Sequence, residues 1–591
     1  MQSETRICQN CKKDFIIELD DFGFYEKIKV PPPTFCPECR FQRRLMFRNE
    51  YHLYKRKCEL CKKTTLSTFS PDKQYIVYCP DCWWSDQWNP LDYGRKYDPN
   101  QPFLKQMDSL LHEVPLAALS TNYPTLINSD YVNETGYAKN CYLIFDADYC
   151  ENVLYSTKLS NIKDSMDVHR GGESELCYES INCYKSSRIF FSEDINNCVN
   201  IFFSKNLVGC IDCFGCVNLR NKNHYIWNEP YSKEEYDKKT QLFKKEIMTR
   251  EGIQNLLFKA EKFWLREPQK YMHGFQNVNV SGDYLHESKN AKNSFQARGL
   301  EDSRFCQFLK DGGVKNAYDY TIWGRNVELI YECMNVGDGV HNTKFCNICA
   351  LGNTINTEYC IWCLDVMNLF GCSGLRKKKY CILNKQYTPE EFNSLRTRII
   401  EDMQKNPYTD KKSRVWKYGE FFPYDISFYG YNETDAYTYF PVEKKEADNA
   451  GWKWHKDVPI KYAISMTSDK LPVTINQVSD DFLKEIIECV LCHKAYRFTN
   501  AELVFLRQFE LPLPDKCFEC RYKRRLARLN PCNLWHRQCQ CFGEKSENSV
   551  YMNTAKHIHN NEHCLNEFET SYAPDRPEIV YCESCYNKEV Y

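Results

Sequence analysis

The sequence predicts a mainly β protein: a duplicated β-solenoid-like body with capping helices, flanked by two homologous cysteine-rich modules. Three observations carry the prediction. One cysteine pattern occurs at both ends of the chain, the middle is a series of short strand-like segments, and that middle repeats its own closing motif.

The terminal modules come first. Residues 36–49 read CPECRFQRRLMFRN and residues 517–530 read CFECRYKRRLARLN, with Cys8 and Cys11 upstream of one and Cys489 and Cys492 upstream of the other. Both copies therefore read C-x2-C-x24-C-x2-C without a gap. After Cys39 and Cys520 each copy continues with x18 to Cys58 or Cys539, and each closes on VYCPDC (Cys79, Cys82) or VYCESC (Cys582, Cys585). A C-x2-C knuckle lets two sulfurs meet one ion at about 2.3 Å, and a second knuckle completes the tetrahedron that zinc accepts. The spacing predicts about four structural zinc sites. They are Cys8, Cys11, Cys36 and Cys39; Cys58, Cys61, Cys79 and Cys82; Cys489, Cys492, Cys517 and Cys520; and Cys539, Cys541, Cys582 and Cys585. The last departs from the pattern because its first knuckle is C-x-C, and interleaved pairing of the knuckles also satisfies the spacing. Buried thiols or disulfides are the competing reading, and the repeated spacing weighs against them. With four protein ligands each, these sites leave no position for a reacting water, which makes them structural and not catalytic.

Composition bounds the rest. At 591 residues, 42% hydrophobic and 27% charged, the chain is globular in type and long enough for several domains. A net charge of −1 excludes a polyelectrolyte role for the whole molecule, so any contact with nucleic acid must rest on local patches. The 34 cysteines fall as eight in the N-terminal module, sixteen between residues 141 and 381, and ten from residue 489 onward. MQSETRICQNCKKDF has no apolar core of a signal peptide, and no run of eighteen apolar residues occurs, so a reducing, cytoplasmic location and no membrane partner are expected.

In chain order, residues 1–90 form the N-terminal zinc module, with a helix expected from CRFQRR. A connector over 91–124 contains PFLKQMDSLLHEVPLAAL, where Phe103, Leu104, Met107, Leu110 and Leu111 recur at helical spacing. From about 125, segments such as NCYLIF, SRIFFS and CVNIFFS follow at intervals of 10–14 residues, too close for helical crossovers. Serial short strands, none able to bury its own face, suit a stacked β-solenoid over 125–265 and again over 276–405. A β-sandwich is the all-β alternative. Asn and Cys at like positions suggest inward ladders. FGCVNLRNK from Phe214 parallels FGCSGLRKK from Phe370, and each leads to a helix opened by a capping box, Ser232 with Glu235 or Thr388 with Glu391. Residues 410–480 are dense in aromatics and read as an irregular segment wrapped over the body, with a base-stacking platform as its functional alternative. Residues 485–591 form the C-terminal zinc module, whose KHIHNNEHC insertion offers His557, His559, His563 and Cys564 as further metal ligands.

The sixteen middle cysteines include Cys210, Cys213 and Cys216 and the pairs Cys346/Cys349 and Cys360/Cys363. On a strand, residues three apart face opposite ways, so these read as small core residues; an iron–sulfur cluster at the triplet lacks a fourth local ligand.

CPECRFQRRLMFRNE, VYCPDCWWSDQW, FGCVNLRNK, YGEFFPYDISFYGYNET and CFECRYKRRLARLNP followed by LWHRQCQC together resemble a family of large cysteine-rich proteins of the candidate phyla radiation, ultra-small bacteria of reduced genome. The resemblance spans nearly the whole chain. It implies a cytoplasmic protein with terminal zinc-ribbon or treble-clef modules and carries no reaction with it.

Two functions compete. Arg40, Arg43, Arg44 and Arg48 crowd the first module, and Arg521, Arg524, Arg525 and Arg528 repeat the arrangement in the second. Arginine forks match phosphate oxygens, and Phe41, Tyr54, Tyr522 and Trp535 stand ready to stack on bases, which points to a nucleic-acid or ribonucleoprotein partner. The alternative is a scaffold whose solenoid face binds a protein, with the zinc modules as end caps. An enzyme has little support, since no P-loop, dinucleotide fingerprint, G-x-S-x-G or H-E-x-x-H occurs.

Overall fold

In a computed structural model that describes residues 2–456 and 462–591, strand outweighs helix, at 35% against 24%. The chain divides into two units that interleave along the sequence. One comprises Met1–Leu119, Met272–Asp457 and Pro531–Leu534, the other Ser120–Tyr271, Val458–Asn530 and Trp535–Tyr591. The N-terminal knuckles thus share a unit with the later half of the middle, and the C-terminal knuckles with the earlier half.

What makes the strands of the second unit is a three-residue backbone rhythm. Every third residue from Glu134 to Asn206 has φ between 43° and 60°, the left-handed region, with extended residues between. Asn and Asp adopt this conformation more readily than other residues with a Cβ, and they are frequent at these corners. A left-handed residue after each extended pair converts the usual two-residue alternation of a strand into a period of three. The buried interior confirms it: Cys141, Ile144, Ala147, Cys150 and Val153, and later Leu207, Cys210, Cys213 and Cys216, all point inward at every third position. Ser156, Ser165, Ser180, Ser192 and Ser204 fill further inward positions of the same phase. Residues three apart therefore face the same way, contrary to the expectation from a regular strand.

The ladders are parallel. Val132 pairs with Ile144 and Val199 with Ile211, a step of twelve residues made of four triplets. In the first unit the step stretches to thirteen between Val314 and Val327 and fourteen between His341 and Ile355, which shifts the inward phase at each insertion. Parallel pairing excludes the β-sandwich, which is antiparallel. Asn side chains form ladders too, but on the outside. Asn128, Asn140, Asn152 and Asp164 join side chain to side chain at 2.8–3.1 Å, each at a left-handed corner, so the expectation of inward Asn ladders is corrected while cysteine does face inward. The inward cysteines behave as serine does. Ser186 Oγ accepts from the Cys198 N–H, and Cys198 Sγ accepts from the Cys210 N–H, one step along the same column.

Both ladders end alike. Ile211–Phe214 and Met367–Phe370 end on the Phe that opens each FGC segment, each is followed by a last parallel strand and a short antiparallel return, and then by a helix, Lys233–Ile247 or Pro389–Lys405. Both capping boxes are formed, with the Ser232 and Thr388 hydroxyls accepting from the N–H groups of Glu235 and Glu391.

In the first unit the Phe103–Glu113 helix buries its expected apolar face, with Phe103 against Tyr359 and Phe370. The aromatic segment follows, its Trp416, Phe421, Phe422, Tyr424 and Tyr431 buried and its regular structure, among the described residues, made of short 3-10 turns, two-residue strands and the helices Asp435–Tyr439 and Lys444–Ala450. These five rings are not available for base stacking, while Tyr462 of the same segment is exposed. Residues 457–461 of the 410–480 segment lie outside the described residues.

Candidate metal centres

The first C-x2-C pair in three of the groups is shaped by one left-handed residue directly after its second cysteine: Lys12, Lys62 and His493. That residue turns the chain so that the backbone N–H of Lys12 reaches the Cys8 carbonyl, and the same bond recurs from Lys62 to Cys58 and from His493 to Cys489. The second pair of each site comes from a helix start. Cys36, Cys79, Cys517 and Cys582 are N-caps, and the partner cysteine sits one turn in. The capping N–H groups donate to sulfur, Cys36 to Cys8 Sγ at 3.3 Å and Cys517 to Cys489 Sγ at 3.4 Å, so a thiolate there is stabilised by backbone dipoles as well as by the helix N-terminus.

These elements bring together Cys8, Cys11, Cys36 and Cys39; Cys58, Cys61, Cys79 and Cys82; and Cys489, Cys492, Cys517 and Cys520, with the ligand atoms of each group within 4.8 Å of one another. Local pairing of the knuckles is therefore the arrangement found, and the interleaved one is not. A tetrahedron with metal–sulfur bonds of about 2.3 Å has edges of about 3.8 Å. The sulfurs match that edge: 3.7 Å for Cys11 to Cys36, 3.8 Å for Cys61 to Cys79 and 3.6 Å for Cys492 to Cys517. A disulfide needs about 2.05 Å, far shorter than these separations. The exposed Cys61 thiol is drawn down to about 7, first by its bond from the Lys63 backbone.

The fourth group departs from the sequence reading. Cys539, Cys582 and Cys585 gather with Cys564, not with Cys541. Cys541 opens the short strand Cys541–Phe542, and the insertion returns so that the Cys564 N–H donates to the Cys541 carbonyl. Cys564 then lies 3.9 Å from Cys582 and 3.7 Å from Cys585, sulfur to sulfur. Cys541 belongs to a further group with His557, His559 and Cys585. His563 joins neither; its Nδ1 faces the Cys564 carbonyl.

The arginines expected at a phosphate interface are placed elsewhere. Arg40, Arg43 and Arg44 project from one face of the Pro37–Leu45 helix and are fully buried on the sheet of the first unit. Arg40 pairs with Asp319 at 2.8 Å, Arg44 with Asp319 and Glu332 at 3.2 and 3.1 Å, and Arg43 with Glu332 and Glu420 at 2.6 and 3.1 Å. Arg48 is buried against Asp435 at 3.1 Å. In the second unit the Phe518–Leu526 helix repeats the wiring. Arg521 pairs with Asp167 at 2.8 Å and Glu502 at 3.2 Å, Arg525 with Asp167 and Glu179 at 2.8 and 3.5 Å, Arg524 with Glu179 at 2.7 Å, and Arg528 with Glu193. Asp319 and Glu332 are ladder neighbours, and Asp167 and Glu179 lie twelve residues apart on the other sheet, so each arginine trio bridges two successive rungs. Burial pushes the Glu332 and Asp167 carboxyls up against the pull of these arginines, whereas Arg524 and Arg525 overcome burial at Glu179 and hold it at about 2. Each of these arginines thus has a buried carboxylate partner. Phe41 and Tyr522 are buried as well.

Local sequence held little sign of this burial, because most of these acids lie far along the chain from the arginines, and the neighbouring acids Glu38 and Glu50 gave its hint of pairing. Among the described residues no helix is long and apolar enough to cross a membrane. Comparison of the chain with protein-family models, with curated proteins and with solved structures finds no match.

Proposed function

We propose that the chain is a non-catalytic structural protein in which zinc modules are clamped onto β-solenoid bodies. In this reading the twelve-residue parallel ladders are turns of two related solenoids, each closed by its FGC segment and capped helix. The four-cysteine groups are zinc-ribbon or treble-clef sites, and zinc suits them because a closed set of thiolates with tetrahedral edges is its preferred structural environment. The outward solenoid faces are then the surface offered to a protein partner in the cytoplasm, and membership of the cysteine-rich family of ultra-small bacteria belongs to the same proposal.

The observation that carries the reading is the matched pair of arginine docks. Residues that would have to be solvent-facing to bind phosphate are spent on holding a metal module to a sheet, in both units and with the same wiring. Nucleic-acid binding thereby loses its best residues, and the scaffold reading explains them.

The test uses the full, metal-loaded chain. Gel-shift titration with RNA and single-stranded DNA at low salt is expected to give no complex, while Arg525→Gln lowers the unfolding midpoint. A salt-sensitive complex that a folded Arg524→Gln variant weakens would overturn the scaffold reading in favour of phosphate binding.

A further inference from the structure

Cys585 belongs to two ligand groups at once. Its sulfur stands with Cys539, Cys564 and Cys582 and also with Cys541, His557 and His559, the ligand atoms of each set lying within 4.8 Å of one another. We propose that the C-terminal module holds a two-metal cluster in which the Cys585 thiolate bridges an all-sulfur site and a site of two sulfurs and two imidazoles. The proposal rests on the reading of the four-cysteine groups as structural zinc sites and adds a fifth ion to them.

The histidines are set up for this. His557 Nε2 lies 2.7 Å from Glu589 Oε1, with the two side chains 1% and 0% exposed. Glu589 already accepts from the Thr554 and Ala555 N–H groups, so it is a fixed acceptor and Nε2 carries the proton. The Nδ1 lone pair is left for a metal. His559 is set the other way round. Its Nδ1 donates to the Glu562 carbonyl at 2.7 Å, since a carbonyl only accepts, and its Nε2 points to Cys585 Sγ at 3.5 Å. A metal-bound imidazole whose second nitrogen is held by a carboxylate or carbonyl is the usual outer support of such a site. Asn553 donates to Cys541 Sγ at 3.2 Å, as it would to a thiolate. Two sulfurs and two nitrogens in a tetrahedron suit zinc as well as four sulfurs do. Sharing Cys585 has an electrostatic gain: five thiolates on two dications leave one negative charge in a largely buried module, where an isolated four-thiolate site keeps two.

The test is metal counting with an independent readout of the bridge. Native mass spectrometry of the zinc-loaded full chain is expected to find five ions, and the His557→Gln/His559→Gln variant four. After exchange with cadmium-113 ion, two of five resonances should show mutual scalar coupling through the shared sulfur, and the coupling should vanish in the double variant. Four ions in both proteins, or five without any coupled pair, overturns the bridged cluster and leaves the four-site reading standing. Fewer than four in the unaltered protein overturns both. Should the double variant not fold, Glu589→Gln keeps every ligand, and one ion should then leave to a chelator about 10–100-fold faster than from the unaltered chain. An unchanged release rate overturns the proposed support of His557.

Discussion

The helices Pro37–Leu45 and Phe518–Leu526 have nearly the same sequence and make nearly the same contacts, yet they are covered differently. In the first unit the aromatic segment lays Glu420 and Trp416 over Arg43, whose guanidinium sits 4.6 Å above Phe35 and 5.0 Å from the Trp416 ring, and the side chain is 0% exposed. In the second unit the extra carboxylate is Glu502, from the Asn500–Gln508 helix, and it goes to Arg521. Arg524, the counterpart of Arg43, keeps its bond to Glu179 but stays 40% exposed. The charge pairing is set by the helix and two rungs of sheet. How far it is removed from water is set by whichever segment crosses above it.

The largest expected effect falls on the four-cysteine groups beside both docks. Chelation, or Cys36→Ser in the first unit and Cys517→Ser in the second, should unfold the corresponding module, because a structural zinc site contributes on the order of 10 kcal/mol. Circular dichroism with metal analysis reads this, and a module that keeps its fold after metal loss would break the comparison at its base. Next come the arginines themselves. Arg43→Gln takes the arginine from the buried Glu420 and one of the guanidinium partners from the buried Glu332, and should cost about 3–5 kcal/mol, whereas Arg524→Gln at its half-open site should cost about 1 kcal/mol or less. Denaturant unfolding of the two variants sharpens the contrast, and equal losses would show that coverage by the aromatic segment does not matter.

Acid should also separate the carboxyls of Glu179 and Glu332. Glu179 is held at about 2 in the fold against about 4.3 when unfolded, so its contribution is complete above the higher value and is lost as pH falls toward the lower. Glu332 is shifted upward by burial, so its sign is opposite: protonation relieves a cost already present at neutral pH. Hydrogen exchange at pH 5 and pH 3 should therefore show protection around Glu179 falling, and Glu179→Gln should flatten that fall. A variant with the same acid limb as the parent would contradict it. The smallest effect is expected for Cys198→Ser. That column already reads Ser174, Ser186, Cys198 and Cys210, the first three each accepting from the N–H one step on, so stability should change by about 1 kcal/mol or less without metal loss. A loss comparable to that of Cys36→Ser would mean that the inward cysteines do more than pack.

Several elements were legible because their causes are local. A C-x2-C knuckle needs one turn and a following helix start, a capping box spans four residues, and the Phe103 helix shows its apolar stripe within three turns. The sheet interior was harder to read. Its three-residue period comes from left-handed corners that Glu, Tyr, Leu and Lys occupy as well as Asn, and no intrinsic preference announces those residues there. Cys564 was visible as a candidate ligand, but its partners were set by where the KHIHNNEHC insertion returns.

From the sequence alone came the mainly β character, the duplicated cysteine spacing, three of the four-cysteine groups and the helix caps, since each depends on residues within a few turns of one another or on a spacing that repeats. Only the tertiary structure decided what the arginines do. Arg43 meets Glu332 across 289 residues and Glu420 across 377, and whether a guanidinium faces water or a buried carboxylate depends on how distant segments pack, which no local pattern encodes.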